Sequence, residues 1–232
     1  VEGYLEELNE KTNVNLQNSL EAREKFGRAH HYSCCFYEFA QAISGEPEKE
    51  ILKTVTAQME TATFCVALGM YRQAFVSLRL AMEMGLAVVH FSVHRLDLNE
   101  WLDGKKDINW SSLVCEDNGV MSNRFANAFF PAFSRDMSHY RGRAIEVYRN
   151  LSEYVHGNNE TWKGSQIEIS FDEDRLRFYF EVLKDVSEIL LFVLSCRYLK
   201  TLDQGRLESL EFVPEEMRHL DYVREYFGGP GN

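Results

Sequence analysis

An arginine and a histidine seven residues apart are the clearest candidates for catalytic residues in this chain. Arg149 and His156 belong to the stretch YRNLSEYVHG at positions 148–157. In an α-helix seven residues amount to nearly two turns, so both side chains emerge on almost the same side. An imidazole that can exchange protons near neutral pH, beside a permanent cation, suits cleavage of a phosphodiester. Arg23 and His30 have the same spacing but lie in a polar stretch without a clear apolar stripe.

The surrounding residues predict the helix that must position this pair. Apolar residues recur on one face at Ala144, Val147, Leu151, Tyr154 and Val155. Arg149 and His156 lie roughly opposite this stripe, and Gly157 follows as glycine often does at the end of a helix. We therefore predict an amphipathic helix over about 135–156 with both groups turned away from the core.

The same segment resembles the signature helix of the HEPN superfamily (higher eukaryotes and prokaryotes nucleotide-binding). Nuclease members carry an arginine, usually a polar residue next to it, and a histidine shortly afterwards, a pattern that Arg149, Asn150 and His156 match. The resemblance implies an all-α bundle, often dimeric, with two such helices meeting across the dimer. It also implies metal-independent RNA cleavage in catalytic members, and frequent occurrence in toxin–antitoxin and anti-phage systems.

The expected reaction is attack of a ribose 2′-hydroxyl on the adjacent phosphate. His156 would act as general base or acid, Arg149 would clamp the phosphate oxygens, and Asn150 would position the phosphate or the ribose. Dimerisation would bring two copies of each group together, so that one histidine could be the base and the other the acid. Glu153, one turn after Arg149, could form an intrahelical ion pair that occupies the arginine.

Further side chains could contact the substrate. Arg141, Arg143 and Tyr148 lie on the same predicted helix as the catalytic candidates. An earlier helix, over about 70–95, is apolar nearly all round, and its exceptions fall in one narrow stripe: Arg72, Arg79, Glu83, His90 and His94. This stripe could form a second polar wall facing Arg149 and His156, and the alternative is a buried or interfacial Arg79–Glu83 pair.

A metal site is not expected from the sequence. His90 and His94 are four residues apart and could chelate an ion, but no further ligand stands out at ligand spacing. Glycine-rich phosphate loops, zinc-protease motifs and serine-hydrolase motifs are missing from the sequence. We therefore predict that no metal and no cofactor takes part.

Charge and cysteine usage limit the possible settings. The net charge of −11 argues against non-specific binding to long nucleic acid. Residues 122–163, however, hold six basic and four acidic residues, a net charge of +2 that leaves −13 for the remainder. Five scattered cysteines without a CxxC pair favour a reduced, cytoplasmic protein. The sequence has no apolar run long enough to span a membrane, so we predict no membrane partner.

The predicted fold is all-α, a HEPN-like bundle of about six to seven helices forming a single domain over residues 1–232. Helices are expected over about 16–43, from Pro47 to Gly69, from Asp172 to about Leu202, and from Pro214 to about 228. A long connecting insertion is expected around 97–119, with at most one short strand or hairpin near 166–171.

The leading functional prediction is a metal-independent endoribonuclease of a prokaryotic toxin or anti-phage defence system, with RNA as substrate. The chain is expected to form a homodimer or to join a larger complex. The alternative is a non-catalytic interaction or regulatory subunit of a defence complex, which the acidic surface would suit. A helical domain that senses a nucleotide or another small molecule is a third possibility.

Overall fold

Helices account for all the regular secondary structure in residues 1–156 and 167–230, which are the residues that the computed structural model describes. The α-helices are α1 (Glu2–Ser19), α2 (Arg23–Ala42), α3 (Glu46–Ala67), α4 (Tyr71–Phe91), α5 (Arg95–Leu102), α6 (Trp110–Leu113), α7 (Asn123–Phe129), α8 (Met137–His156), α9 (Glu173–Tyr198), α10 (Gln204–Glu208), α11 (Phe212–Glu216) and α12 (Asp221–Tyr226). Short 3₁₀ turns occupy Leu20–Ala22, Pro131–Arg135 and Leu199–Thr201. The all-α prediction is confirmed, although these helices outnumber the six to seven expected.

Helix α4 lies at the centre of the bundle and packs against α3, α8 and α9. Its residues are apolar nearly all round, as a helix surrounded by other helices requires. Helix α4 is long and apolar enough to cross a membrane, but 67% of its most apolar window is buried inside the bundle. Residues 189–196 of α9 are also all buried, so the two most apolar segments of the chain form the middle of the core.

The predictions for the two ends of the chain are wrong. Helix α1 begins at Glu2 instead of near residue 16, and a 3₁₀ turn separates it from α2. The single helix predicted from Pro214 is divided between α11 and α12. Met217 and Leu220 are buried at this break, because the chain turns there to point both side chains into the core.

The possible strand near 166–171 is not formed by residues 167–171, and residue 166 lies outside the described residues. The backbone N–H of Ser170 donates to the carbonyl oxygen of Gly69 at 3.3 Å, which fastens this segment to the turn after α3. A strand needs a neighbouring strand with which to pair, and the described part of the chain offers only helices and loops.

The insertion around 97–119 contains most of α5 and all of α6, and its tryptophans anchor it to the bundle. The Trp101 ring packs on Phe91 with 5.3 Å between centroids. The Trp110 ring stacks on Tyr148 of α8 at 3.7 Å, with 5° between the ring planes. The insertion therefore contacts the same helix that carries Arg149 and His156.

Gly69 ends α3 in a conformation that other residues rarely adopt. Its φ is +79°, and the N–H groups of Gly69 and Met70 donate to the carbonyls of Val66 and Cys65 at 3.0 and 2.8 Å. This pair of bonds is the Schellman arrangement that commonly ends a helix. A Cβ at Gly69 would lie 2.5 Å from the carbonyl oxygen of Ser170.

Gly69→Ala is therefore expected to lower the free energy of unfolding by about 2 kcal/mol or more, because the left-handed conformation alone costs an L residue about 1–2 kcal/mol. Urea denaturation measures this change. Gly142→Ala in α8 is the matched control, since its Cβ would meet nothing within 4 Å. Alanine there should stabilise the helix by up to about 1 kcal/mol. Equal effects of the two substitutions would contradict this account.

Candidate functional site

Arg149 and His156 both lie on the exposed face of α8. The opposite face of this helix packs into the core through residues that include Val147 and Leu151. Seven residues of α-helix correspond to a rise of about 10 Å and to a rotation within roughly 20° of two full turns. Both side chains therefore project from the same side of α8, about 10 Å apart along its axis.

Asn150 lies beside Arg149 and is half-buried. The expected ion pair between Arg149 and Glu153 is not present among the salt bridges that join described residues; those of α8 use Arg141 and Arg143 instead.

The C-terminal end of α8 is held against the N-terminal end of α4. The Arg72 Nε–H donates to the backbone carbonyl of Tyr154 at 3.0 Å. That carbonyl is one of the last four of the helix, which have no partner within it. The Tyr154 ring stacks on Phe75 with 4.1 Å between centroids. These contacts fix the turn of α8 that leads to His156.

At Tyr148, the residue directly before Arg149, a polar network joins α4 to α8. Arg79 donates from Nη2 to the Tyr148 hydroxyl at 2.6 Å and to Glu83 Oε1 at 3.2 Å. The Tyr148 hydroxyl in turn donates to Glu83 Oε1 at 2.7 Å. The Arg79 guanidinium also lies over the Tyr148 ring, 4.7 Å from its centroid, and Trp110 covers that ring by stacking.

Polar atoms of Arg79, Glu83 and Tyr148 find hydrogen-bond partners within this network. Burial, followed by the hydrogen bond to Glu83, raises the pKa of Tyr148, so the hydroxyl keeps its proton and remains a donor. Arg79 Nε is the one atom of the group that is buried without a partner. The polar stripe of α4 therefore contacts α8 through Tyr148, and Arg79 and Glu83 form the ion pair that was the alternative interpretation.

Arg141 and Arg143, the other predicted substrate-binding residues, are engaged in ion pairs. Arg141 Nη2 lies 2.8 Å from Glu116 Oε2. Arg143 bonds to both Asp185 and Glu188 of α9, the latter at 2.8 Å. Burial opposes the charge of Arg143, but these two carboxylates together raise the pKa of its guanidinium. Phosphate binding at either arginine would have to compete with these carboxylates.

A second titratable cluster lies at the other end of α4. His90 Nε2 is 2.7 Å from Asp97 Oδ2, and Lys106 Nζ is 2.7 Å from Asp97 Oδ1. The rings of His90 and His94 stack with 4.2 Å between centroids. Asp97 could not be recognised from the sequence because it lies in the next helix, and only the turn after Phe91 brings its carboxylate back to the histidines. His90, His94 and Asp97 are the residues here that could hold a metal ion.

The structure thus separates the predicted site residues into three groups. Arg149, Asn150 and His156 share the exposed end of α8, and Tyr148 joins Arg79 and Glu83 in the network beside them. Arg141 and Arg143 lie nearer the N-terminus of α8, in ion pairs of their own. Comparison with family models, with curated proteins and with solved structures finds no match to this chain.

Proposed function

We propose that this chain is a HEPN-like, metal-independent endoribonuclease that cleaves RNA by attack of a ribose 2′-hydroxyl. The observation that carries the proposal is the joint exposure of Arg149 and His156 on one face of α8. The contacts of Arg72 and Phe75 with Tyr154 hold that end of the helix in place. A catalytic pair needs such a rigid element, because a small misplacement of reacting groups costs much of the rate.

Each residue of the proposed site has a distinct task. His156 takes the proton of the 2′-hydroxyl, or gives one to the leaving 5′-oxygen, as the reaction passes through the phosphorane. Arg149 places its planar fork on the phosphate oxygens and stabilises their growing negative charge. Asn150 orients the phosphate or the ribose. The products are a 2′,3′-cyclic phosphate and a free 5′-hydroxyl.

A homodimer would complete this machinery. One histidine cannot be both base and acid in a single step, whereas two α8 helices facing each other would supply one histidine for each task. The dimer, the RNA substrate and a role as a toxin or in anti-phage defence follow from the HEPN resemblance of residues 148–157. The net charge of −11 suits an enzyme that selects a particular RNA over one that coats long nucleic acid.

Purified protein is expected to cleave end-labelled RNA equally well in EDTA and in Mg²⁺, and to leave 2′,3′-cyclic phosphate ends. The reason is that Arg149 and His156 supply the positive charge and the proton transfer without a metal ion. Gel electrophoresis of the fragments, before and after enzymatic removal of the cyclic phosphate, measures both properties. Cleavage that stops in EDTA, or fragments with 3′-hydroxyl ends, would contradict the proposal.

A non-catalytic interaction subunit is the second candidate function. The intramolecular ion pairs of Arg141 and Arg143 favour it, because they leave less positive charge for RNA along α8. Exposed apolar side chains on α1, namely Tyr4, Leu5 and Val14, also favour a protein partner. If this function is the correct one, His156→Ala keeps full activity in the cell, whereas polar substitutions on α1 abolish it.

A further inference from the structure

The cluster of His90, His94 and Asp97 combines two imidazoles and a carboxylate around one turn of the chain. His90 is in the last turn of α4, His94 directly precedes α5, and Asp97 lies in the first turn of α5. The ligand atoms of the three side chains all lie within 4.8 Å of one another. We infer that these residues form a binding site for a divalent transition-metal ion, and that Zn²⁺ suits the donor set well.

The distances are close to those that zinc requires. Ligands about 2.0–2.2 Å from a tetrahedral ion lie roughly 3.4 Å from one another. The 2.7 Å contact between His90 Nε2 and Asp97 Oδ2 would have to open slightly. The other separations, at most 4.8 Å, would have to close by little more than about 1 Å. His94 is exposed, so its side chain has room to rotate towards the ion.

A partner outside the ligand set already orients the carboxylate. Lys106 Nζ lies 2.7 Å from Asp97 Oδ1, the oxygen that does not face His90. When Asp97 Oδ2 moves from His90 to the ion, this bond can stay in place. Such supporting bonds to ligating carboxylates hold the ligand in the geometry that the metal needs.

Three protein ligands would leave the fourth position of a tetrahedral ion open. Two of them, His90 and His94, line a cavity of about 440 Å³, which is also lined by Asn118, Ser122 and the exposed Arg124. Three protein ligands with a free fourth position are typical of zinc ions that bind a water molecule or a substrate, whereas structural zinc sites have four protein ligands. The positive charge of Arg124 makes an anionic ligand the natural occupant of this cavity.

This site is separate from the proposed nuclease site. Helices α4 and α8 run antiparallel, since Arg72 contacts Tyr154 whereas Arg79, further along α4, contacts the earlier Tyr148. His90 lies 18 residues beyond Arg72 on α4, a distance of about 27 Å along the helix. Zinc at His90 is therefore far from His156. Zinc binding at this site and RNA cleavage without a metal ion are separate properties of the chain.

Calorimetric titration of the chelator-treated full chain with Zn²⁺ tests the inference. The wild type is expected to bind one ion per chain. His94→Ala removes an exposed ligand, and Asp97→Asn keeps the shape of the side chain while removing its charge, so neither substitution threatens folding. Each is expected to weaken binding by at least the roughly 10–100-fold that loss of a supporting residue alone costs.

His139→Ala is the matched control, because His139 is an exposed histidine outside the cluster, and it should bind zinc as the wild type does. Replacement of zinc by Co²⁺ should give the visible absorption bands of a low-coordinate site in the wild type and not in His94→Ala. Zinc binding that is equally weak or equally strong in the wild type, His94→Ala and Asp97→Asn would overturn the inference. His94→Ala should cleave RNA in EDTA as the wild type does, so failure of either proposal can be recognised without the other.

Discussion

Replacing His156 by alanine is expected to lower the rate of RNA cleavage by about 10²–10⁴-fold, the range that a positioned acid or base contributes. His156 is exposed at the end of α8 and buries no side chain there, so the substitution should leave folding unchanged. Arg149→Ala should cost about 10²–10³-fold, because the negative charge on the phosphate oxygens would lose its partner. Single-turnover cleavage of labelled RNA measures both losses, and circular dichroism checks the fold.

A control on the same helix separates this loss from a general effect of removing histidine. His139 is exposed on α8 and lies more than four turns before His156. His139→Ala should cleave RNA at the wild-type rate. If the three variants all cleave as the wild type does, the α8 pair is not the source of the activity and the interaction-subunit function is favoured instead.

Glu83→Ala is expected to lower the free energy of unfolding by about 2–3 kcal/mol. Removal of one partner of a buried ion pair costs about 3–5 kcal/mol, because the other charge is left without compensation. The Arg79 and Glu83 side chains keep 14% and 24% of their exposure, which places the expected cost below that range. The substitution also removes the acceptor of the Tyr148 hydroxyl. Urea denaturation followed by circular dichroism measures the change.

Glu146→Ala is the matched control for this measurement, since Glu146 is exposed on α8. Surface substitutions of this kind usually change stability by no more than about 0.5 kcal/mol. Equal stabilities of Glu83→Ala and Glu146→Ala would show that the Arg79–Glu83–Tyr148 network does not hold α4 to α8. A loss of RNA cleavage in Glu83→Ala without loss of stability would return these residues to the substrate-contacting role predicted from the sequence.

The long helices could be predicted because their local signals agree with their packing. Pro47 lies in the first turn of α3, Gly69 follows its end, and Asp172 caps α9 by accepting from the N–H of Arg175 at 3.0 Å. The apolar periodicity of α8 also gave its bounds to within two residues. The division of the C-terminal segment could not be predicted in the same way, because no glycine or proline marks the break between α11 and α12, where Met217 and Leu220 are buried.

Positions of the candidate site residues could be predicted only where these residues share one helix. Arg149, Asn150 and His156 could be found from spacing, because helical geometry fixes their directions. The stacking of Trp110 on Tyr148 joins residues that are 38 positions apart, and nothing in the sequence pairs them. Asp97 was missed for a similar reason, since its approach to His90 depends on how the chain turns after α4.

Cleavage of one end-labelled RNA in EDTA by wild-type protein and by His156→Ala, purified in parallel, tests the central claim most directly. We expect fragments with 2′,3′-cyclic phosphate ends from the wild type and at least a hundredfold fewer from the variant, about the smallest effect expected when an acid or base is lost. Equal cleavage by both proteins, or intact RNA with both, would contradict the claim that Arg149 and His156 form a nuclease site.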